Sequence, residues 1–135
     1  DMFNLPYHSV CTTSTHDMTP LRNWWKEDPE KTQRYYNHVL QRIGEAPDEC
    51  TAEIVAQIIS HHLKTRSMLT IIPLQDWFAM DDSIKRKDIE SERINVPANS
   101  THYWRYRMHI TLEQLLQADN LNNKIVSLIK EAGRK

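Results

Sequence analysis

The sequence predicts a helix-rich α/β fold built around two short parallel strands. Two short runs rich in apolar and β-branched residues, 10–13 and 67–72, are typical of strands. The long segment between them shows helical periodicity, and so does the segment after the second run. A strand, a helical crossover and a second strand form the βαβ pattern, in which the crossover is right-handed.

Length and composition limit the possible functions. The chain has 135 residues, enough for one domain with a core, and its formal net charge is −1. This balance gives no electrostatic argument for nucleic acid or an anionic membrane, so we expect neither as a partner. No apolar run approaches the roughly 20 residues that a membrane span needs.

The cysteines and the start of the chain indicate its setting. Cys11 and Cys50 match neither a metal-binding spacing nor a dense disulfide framework. We therefore expect no metal, no cofactor and a reducing compartment, the cytoplasm. The first residues lack the pattern of a signal peptide. Because they also lack an initiator Met, we expect the chain to be a fragment of a longer protein.

The first strand ends close to the start of a helix. Val10, Cys11 and the two threonines after them suit a buried strand, and Pro20 marks the start of a helical segment. His16 and Asp17 stand between the two. In parallel α/β folds, catalytic side chains collect at this end of a strand, because the strand is rigid and the loop beyond it can vary.

The crossover contains two predicted helices. Asp28 suits the N-cap and Pro29 the first position of a helix that extends to Ile43, with Gly44 at its C′ position. A second helix is predicted over 51–63, with its first residue as N-cap. The apolar faces comprise Tyr36, Val39, Leu40 and Ile43 in the first helix and Val55, Ile58 and Ile59 in the second.

The second strand is followed by a mixture of helix and loop. The continuous apolar character of 67–72 predicts a strand buried on both faces. A short helix is predicted over 74–78 and a charged, exposed helical segment over 81–92. Residues 95–107 contain a proline, a polar run and an aromatic cluster, and we expect an ordered loop there.

Two helices are predicted at the C-terminal end. Thr111 and Gln114 have the spacing of a capping box and open a helix that extends to Ala118. Asn120 is the predicted cap of the last helix, which Gly133 ends at the C′ position. The shared apolar face of this helix comprises Leu121, Ile125, Leu128 and Ala132.

His16 and Asp17 are the best candidates for chemistry, although an Asp near a helix start often only caps the helix. Residue types alone favour the cap. Ser14 suggests a nucleophile–base arrangement, but the members of such triads normally come from separate segments. His61 and His62 cannot chelate one metal ion, because neighbours on a helix point about 100° apart.

Aromatic and amide side chains are further candidates. The pairs at 24–25 and 77–78 are typical of a core, but an indole can also provide a platform for a sugar face. The cluster 103–107 interleaves aromatics with arginines, which can stack on bases or pin a loop by cation–π packing. Gln75 and Asn95 flank the end of the second strand, where amides can hydrogen-bond hydroxyls or only shape loops.

Five motifs occur in the order and approximate spacing of one family. They are Thr15-His16-Asp17, Trp24-Trp25, Pro73-Leu74-Gln75-Asp76, Glu92-Arg93-Ile94-Asn95-Val96-Pro97 and Tyr103-Trp104-Arg105-Tyr106-Arg107. Over nearly its whole length the chain resembles the C-terminal part of the 4-α-glucanotransferases, the amylomaltases or disproportionating enzymes of glycoside hydrolase family 77. Ser14, Met18-Thr19 and Ala98 depart from the usual Gly, Asn-Asp and Gly. At these positions the chain resembles the branch of the family that contains the plant cytosolic disproportionating enzyme and its bacterial relatives.

The resemblance implies a fold and a reaction. The family fold is an elaborated (β/α)8 barrel, so residues 1–135 are expected to form a single C-terminal fragment of it, with 9–14 and 68–72 resembling its seventh and eighth strands. The family cleaves an α-1,4-glucan with retention, through a covalent glycosyl-enzyme, and transfers the glucan to another sugar. Its nucleophile and acid/base come from earlier strands, so we expect the isolated chain to be inactive.

The resemblance also implies site residues and partners. Asp17 matches the third carboxylate of the family, which binds donor hydroxyls and stabilises charge in the transition state. His16 binds the same sugar, and Asn95, Gln75 and Trp104 are further substrate-binding candidates. The implied partners are α-1,4-glucans, maltooligosaccharides and the remainder of the barrel. The alternative is a stand-alone helical module that binds carbohydrate or another protein without catalysis.

The expected fragment leaves its two strands without outer neighbours. Two parallel strands alone cover neither both faces nor both edges of a sheet. We therefore expect an exposed apolar surface that another copy, or rearranged N-terminal residues, covers. The residues expected on it are Val10, Cys11, Leu69, Ile71 and Ile72.

Overall fold

A computed structural model describes residues 4–134 of the chain. The strands in this range are β1 (Val10–Thr12) and β2 (Leu69–Ile71). The helices are α1 (Leu21–Glu27), α2 (Pro29–His38), α3 (Ala52–Leu63), α4 (Leu74–Phe78), α5 (Leu112–Leu116) and α6 (Asp119–Glu131). A 3-10 turn, Glu90–Glu92, lies between α4 and α5. Among the residues described, no helix is both long and apolar enough to cross a membrane.

The two strands form a parallel pair. Val10 is in register with Leu69, and Thr12 with Ile71. The crossover between the strands contains α1, α2 and α3. This arrangement confirms the predicted fold class, a helix-rich α/β fold with a small parallel sheet.

One face of this sheet packs against the helices and the other remains open. Cys11 is buried and Ile72 packs against the core, so the prediction that both are exposed is wrong. Leu69 and Ile71 in β2 are 49% and 59% exposed, which contradicts the prediction that the second strand is buried on both faces. Val10 in β1 is 56% exposed. Successive side chains point to opposite faces of a strand, and the helices cover only one of these faces.

Helix α2 begins as predicted and ends early. The Asp28 carboxylate accepts a hydrogen bond from the Lys31 backbone N–H at 3.0 Å, and Pro29 is the first helical residue. The helix ends at His38 instead of Ile43. Val39 and Ile43 are 38% and 98% exposed, so their predicted places on the apolar face are wrong.

Side-chain hydrogen bonds in the following loop explain the early end of α2. The Asn37 amide donates to the Arg42 carbonyl at 2.8 Å, and the Gln33 amide donates to the Gly44 carbonyl at 3.0 Å. Gln41 adopts a positive φ of 55°, which turns the chain before Gly44 is reached. Gly44 therefore lies in the loop, and the prediction that it ends the helix is wrong.

Helix α3 supplies the centre of the core. Thr51 is its N-cap, and the Thr51 hydroxyl accepts a hydrogen bond from the Ile54 N–H at 3.3 Å. The predicted inward residues Val55, Ile58 and Ile59 are at most 1% exposed, which confirms the predicted face. Other buried members of this cluster include Trp25, Leu40, Phe78, Met80 and Leu121.

The segment after β2 is only partly helical. Helix α4 confirms the prediction over 74–78, whereas 81–92 forms turns and the 3-10 turn. The Asp81 carboxylate accepts from the Ser83 N–H at 2.9 Å, and the Asp88 carboxylate accepts from the Glu90 N–H at 3.1 Å. Such contacts with the backbone two residues ahead compete with helix formation.

Local signals at the C-terminal helices are mostly confirmed. The Thr111 hydroxyl accepts from the Gln114 N–H at 3.2 Å, and the Gln114 side chain accepts from the Thr111 N–H at 2.8 Å, which is the predicted capping box. Helix α6 begins before Asn120, so this residue is not its cap. Gly133 follows the C-cap with a φ of 68°, and its N–H donates to the Lys130 carbonyl at 2.9 Å.

Candidate functional site

His16 and Asp17 lie in the loop between β1 and α1. The loop turns at Thr15, whose carbonyl accepts a hydrogen bond from the Met18 N–H at 3.0 Å. Pro20 occupies the N-cap position of α1, so the Asp17 carboxylate is not used to cap this helix. The side chains of His16 and Asp17 are both 53% exposed and remain accessible to a ligand.

Asn95, which follows the 3-10 turn in the chain, contacts this loop. Its side-chain amide donates to Asp17 Oδ1 at 2.7 Å, and its backbone N–H donates to the His16 carbonyl at 3.1 Å. The His16 Nε2 atom lies 3.4 Å from Asp17 Oδ2. Each carboxylate oxygen of Asp17 therefore has a polar neighbour that fixes its orientation.

Trp104 adds an aromatic surface to the group. Its ring centroid lies 4.9 Å from that of His16, with the two planes inclined at 46°, and the residue is 60% exposed. Two residues further along this loop, the Tyr106 ring lies 5.5 Å from the guanidinium of Arg86, which belongs to the segment after α4. This contact favours the interpretation that cation–π packing pins the loop and presents Trp104 to solvent.

Gln75 lies deeper, in a cavity of about 470 Å³ at the carboxyl ends of the strands. Of the five predicted site residues, His16 and Gln75 line this cavity. Gln75 is buried, and its side-chain amide donates to the Glu92 carbonyl at 3.1 Å. Other lining residues include Val10, Thr12, Ser14, Ile71, Leu74 and Ile94. The structure thus groups His16, Asp17, Asn95 and Trp104, and connects Gln75 to them through the cavity that it shares with His16.

Asp76 holds the ends of the two strands together. It is 1% exposed, and its Oδ2 accepts from the Thr13 hydroxyl at 2.6 Å and from the Ser14 hydroxyl at 3.5 Å. Its Oδ1 accepts from the Leu21 N–H at 2.9 Å, which fixes the start of α1. Burial raises the pKa of the Asp76 carboxyl. Ser14 is therefore a structural donor here, not a nucleophile paired with His16.

The role of Asp76 was missed from the sequence, although a signal was present. Thr13 and Ser14 follow the first predicted strand, and Asp76 follows the second. The carboxyl ends of parallel strands meet at one edge of a sheet, so hydroxyls after one strand can reach a carboxylate after the other.

Glu92 is a second buried carboxyl group, and it was not among the site residues predicted from the sequence. It lines the cavity and is 2% exposed, and its Oε1 lies 3.4 Å from Nη1 of Arg22, which is also buried. Burial raises the pKa of Glu92 to about 7. The pair is separated by 70 residues, and no local pattern could have identified it.

The arrangement suits a neutral, hydroxyl-rich ligand. A carboxylate, an imidazole and two amides can exchange hydrogen bonds with hydroxyl groups, and an indole offers a flat apolar surface. Among the residues described, no group of three or more His, Cys, Asp or Glu side chains could hold a metal ion.

The chain is similar to known proteins both in sequence and in fold. The family model described as 4-alpha-glucanotransferase, of glycoside hydrolase family 77, matches residues 1–113. The 4-alpha-glucanotransferase DPE2 of Oryza sativa subsp. japonica is 39% identical over 128 residues, which cover 95% of this chain and 14% of the rice protein. The 4-alpha-glucanotransferase of Chlamydia trachomatis is 31% identical over 123 residues, which cover 89% of this chain and 22% of that protein.

A solved structure has the same fold over nearly the whole chain. An amylomaltase from Streptococcus agalactiae in complex with acarbose superposes with a TM-score of 0.72 at 18% sequence identity. The match covers 98% of this chain and 23% of the amylomaltase chain. The chain thus spans a minor share of the length of each of these relatives.

Proposed function

Because the chain belongs to the 4-alpha-glucanotransferase family, we propose that it is the C-terminal part of the catalytic barrel of such an enzyme. We call the longer protein the parent enzyme. It transfers α-1,4-glucan segments between maltooligosaccharides, with retention of configuration at the transferred sugar. β1 and β2 are then the seventh and eighth strands of a (β/α)8 barrel, and their open face is covered by the remainder of that barrel.

Asp17 is the residue on which the proposed reaction depends in this chain. A retaining transfer needs a nucleophilic carboxylate and an acid/base carboxyl, which the remainder of the barrel supplies. Asp17 is the third carboxylate: it accepts hydrogen bonds from donor-sugar hydroxyls and stabilises the positive charge that develops on the sugar. The observation that carries this proposal is the 2.7 Å hydrogen bond from the Asn95 amide, which orients an accessible carboxylate.

The other four residues bind the substrate around Asp17. His16 donates to hydroxyls of the same sugar, and Trp104 beside it packs against a sugar face. Asn95 holds Asp17 and contacts the donor, and Gln75 offers its amide from the cavity. The proposed ligands are α-1,4-glucans and maltooligosaccharides, and the cytoplasmic location expected from the sequence is part of the proposal.

The test compares the parent enzyme with the isolated chain. Each is incubated with maltotriose, and glucose and longer maltodextrins are measured by chromatography. We expect both products with the parent enzyme and neither with the isolated chain, because one carboxylate cannot both protonate the leaving oxygen and trap the glycosyl group. A parent enzyme that forms no transfer products would contradict the proposed function, and sustained transfer by the isolated chain would contradict the assigned roles.

The same assay, applied to Asp17→Asn in the parent enzyme, separates the alternative, a stand-alone module that binds carbohydrate without catalysis. The exposed Trp104 ring against His16 favours carbohydrate binding in either case. A module of this kind binds maltodextrin as an isolated chain, and its loss leaves the turnover of a longer protein unchanged. Transfer by the parent enzyme that depends on Asp17 excludes it.

A further inference from the structure

Glu92 is an unusual carboxyl group for its position. Glutamates are seldom fully buried, yet Glu92 is 2% exposed and lines the cavity that His16 and Gln75 share. Its Oε1 faces Arg22, but its Oε2 has no hydrogen-bond partner within residues 4–134. A buried carboxylate with one unsatisfied oxygen lowers stability, so packing does not explain its presence.

Glu92 connects the elements that carry the candidate site. Its backbone carbonyl accepts the hydrogen bond from Gln75 at the start of α4, and its carboxylate faces Arg22 on α1. Three residues further along the chain, Asn95 holds both Asp17 Oδ1 and the His16 carbonyl. The segment 92–95 is therefore anchored at one end by Glu92 and contacts the proposed transition-state stabiliser at the other.

We propose that Glu92 is a positioning residue for the transfer reaction: its ionised carboxylate, held by Arg22, fixes segment 92–95 so that Asn95 orients Asp17. This inference rests on the proposed function, because it concerns the turnover of the parent enzyme. Glu92 acts here through Asn95 and not by contact with the reacting atoms. Loss of the ion pair frees the segment, and a small displacement of Asp17 then weakens its interaction with the developing charge.

Charged groups from three elements determine the ionisation of Glu92. Burial raises its pKa to about 7, and Asp76 on α4 acts in the same direction. Arg22 on α1 and Arg86, in the loop after α4, lower the pKa. Since only the ionised form pairs with Arg22, the proposal implies that kcat rises with pH through the neutral range.

The test substitutes Glu92→Gln in the full-length parent enzyme, with Glu90→Gln as the matched control. Glu90 belongs to the same 3-10 turn but is exposed, and its substitution removes the same charge. Its Oε1 accepts a hydrogen bond from the Asn23 side-chain amide at 3.1 Å, and the amide oxygen of a glutamine can accept the same bond. We expect Glu92→Gln to lower kcat for maltotriose by about 10- to 100-fold, with KM changed by less than about twofold. Glu92→Gln should also abolish the rise of kcat near neutral pH. Glu90→Gln should change neither kcat nor its rise with pH.

Arg22→Gln provides a second variant that leaves the Glu92 carboxyl in place. Because this substitution removes the other member of the ion pair, it should lower kcat with KM nearly unchanged, and it should abolish the rise of kcat near neutral pH, a change that general loss of structure does not produce. If Glu92→Gln does not fold, the kcat–pH profile of Arg22→Gln decides the question. An active wild type with an equally active Glu92→Gln, or a kcat of Arg22→Gln that still rises near neutral pH as in the wild type, would overturn the inference alone. A wild-type parent enzyme that forms no transfer products overturns the proposed function, and the inference with it.

Discussion

The helical side of the chain and its sheet side differ in how completely they are packed. Ile58, on α3, is 1% exposed and lies in a cluster that draws residues from α1, α3 and α6. Ile71, on β2, is 59% exposed and lines the cavity of the candidate site. Two isoleucines in regular secondary structure thus have opposite environments within one chain.

The candidate site lies on the less completely packed side. His16, Asp17 and Trp104 are exposed at the carboxyl ends of the strands, whereas Asp76 and Glu92 are buried beneath them. This difference indicates a division of roles: the helices supply the free energy of folding, and the strand ends hold polar groups in place for a ligand and for further chain.

The largest expected effect is a difference between Ile58 and Ile71 in the free energy of unfolding that is lost on substitution by alanine. We expect Ile58→Ala to lower the free energy of unfolding of the 135-residue chain by about 2–5 kcal/mol, because it opens a cavity in a close-packed cluster. Ile71→Ala removes the same atoms from an open face and should cost less than about 1 kcal/mol. Urea denaturation measures both values, and equal losses would contradict the division of roles.

Asp17→Asn should have the opposite profile, a large effect on turnover with little effect on folding. In the parent enzyme we expect kcat to fall on the order of 100-fold or more, with a much smaller change in KM, because the lost interaction forms mainly in the transition state. Asp48→Asn, in the exposed loop between α2 and α3, is the control and should leave kcat unchanged. Near-normal turnover of Asp17→Asn would exclude its proposed role.

A smaller effect is expected in the pH dependence of stability. It tests the raised pKa of Glu92, the buried carboxyl group below the site. Burial raises the pKa of Glu92 from 4.5 to about 7, so the folded chain binds more protons than the unfolded chain between these values. The contribution of Glu92 to the free energy of unfolding therefore falls as pH rises through this window. Thermal denaturation of Glu92→Gln and wild type at roughly pH 5 and roughly pH 8 should show the variant gaining relative stability at the higher pH. A gain at the lower pH would contradict the raised pKa.

The smallest effect concerns association through the open sheet face. We expect the isolated chain to self-associate, because three apolar side chains of the strands are about half exposed on one face. Ile71→Asp should weaken this association by about 1 kcal/mol, or several-fold in the dissociation constant. Ile43→Asp is the control, because Ile43 is exposed in a loop outside the sheet. Light scattering over a concentration series measures both, and a wild-type chain that stays monomeric would contradict the prediction.

Local sequence determined most of the helices of this protein and their start points. Asp28-Pro29, Thr51 and the Thr111–Gln114 capping box act on backbone groups within four residues, so their effect can be predicted without knowledge of the fold. The buried face of α3 was likewise predicted from its apolar period. The motifs around His16-Asp17 and Asn95 indicated the family, and the family model confirmed it.

Contacts between different segments of the chain decided where α2 ends, which sheet face is exposed and which carboxyl groups are buried. The end of α2 depends on side chains that bond to a loop beyond the helix, and the open face of β2 depends on which elements pack against the strand. Asp76 reaches Thr13 across 63 residues, and Glu92 reaches Arg22 across 70. The free energy of such pairs comes from burial and from the approach of groups distant in sequence, so it exists only once the tertiary structure has formed.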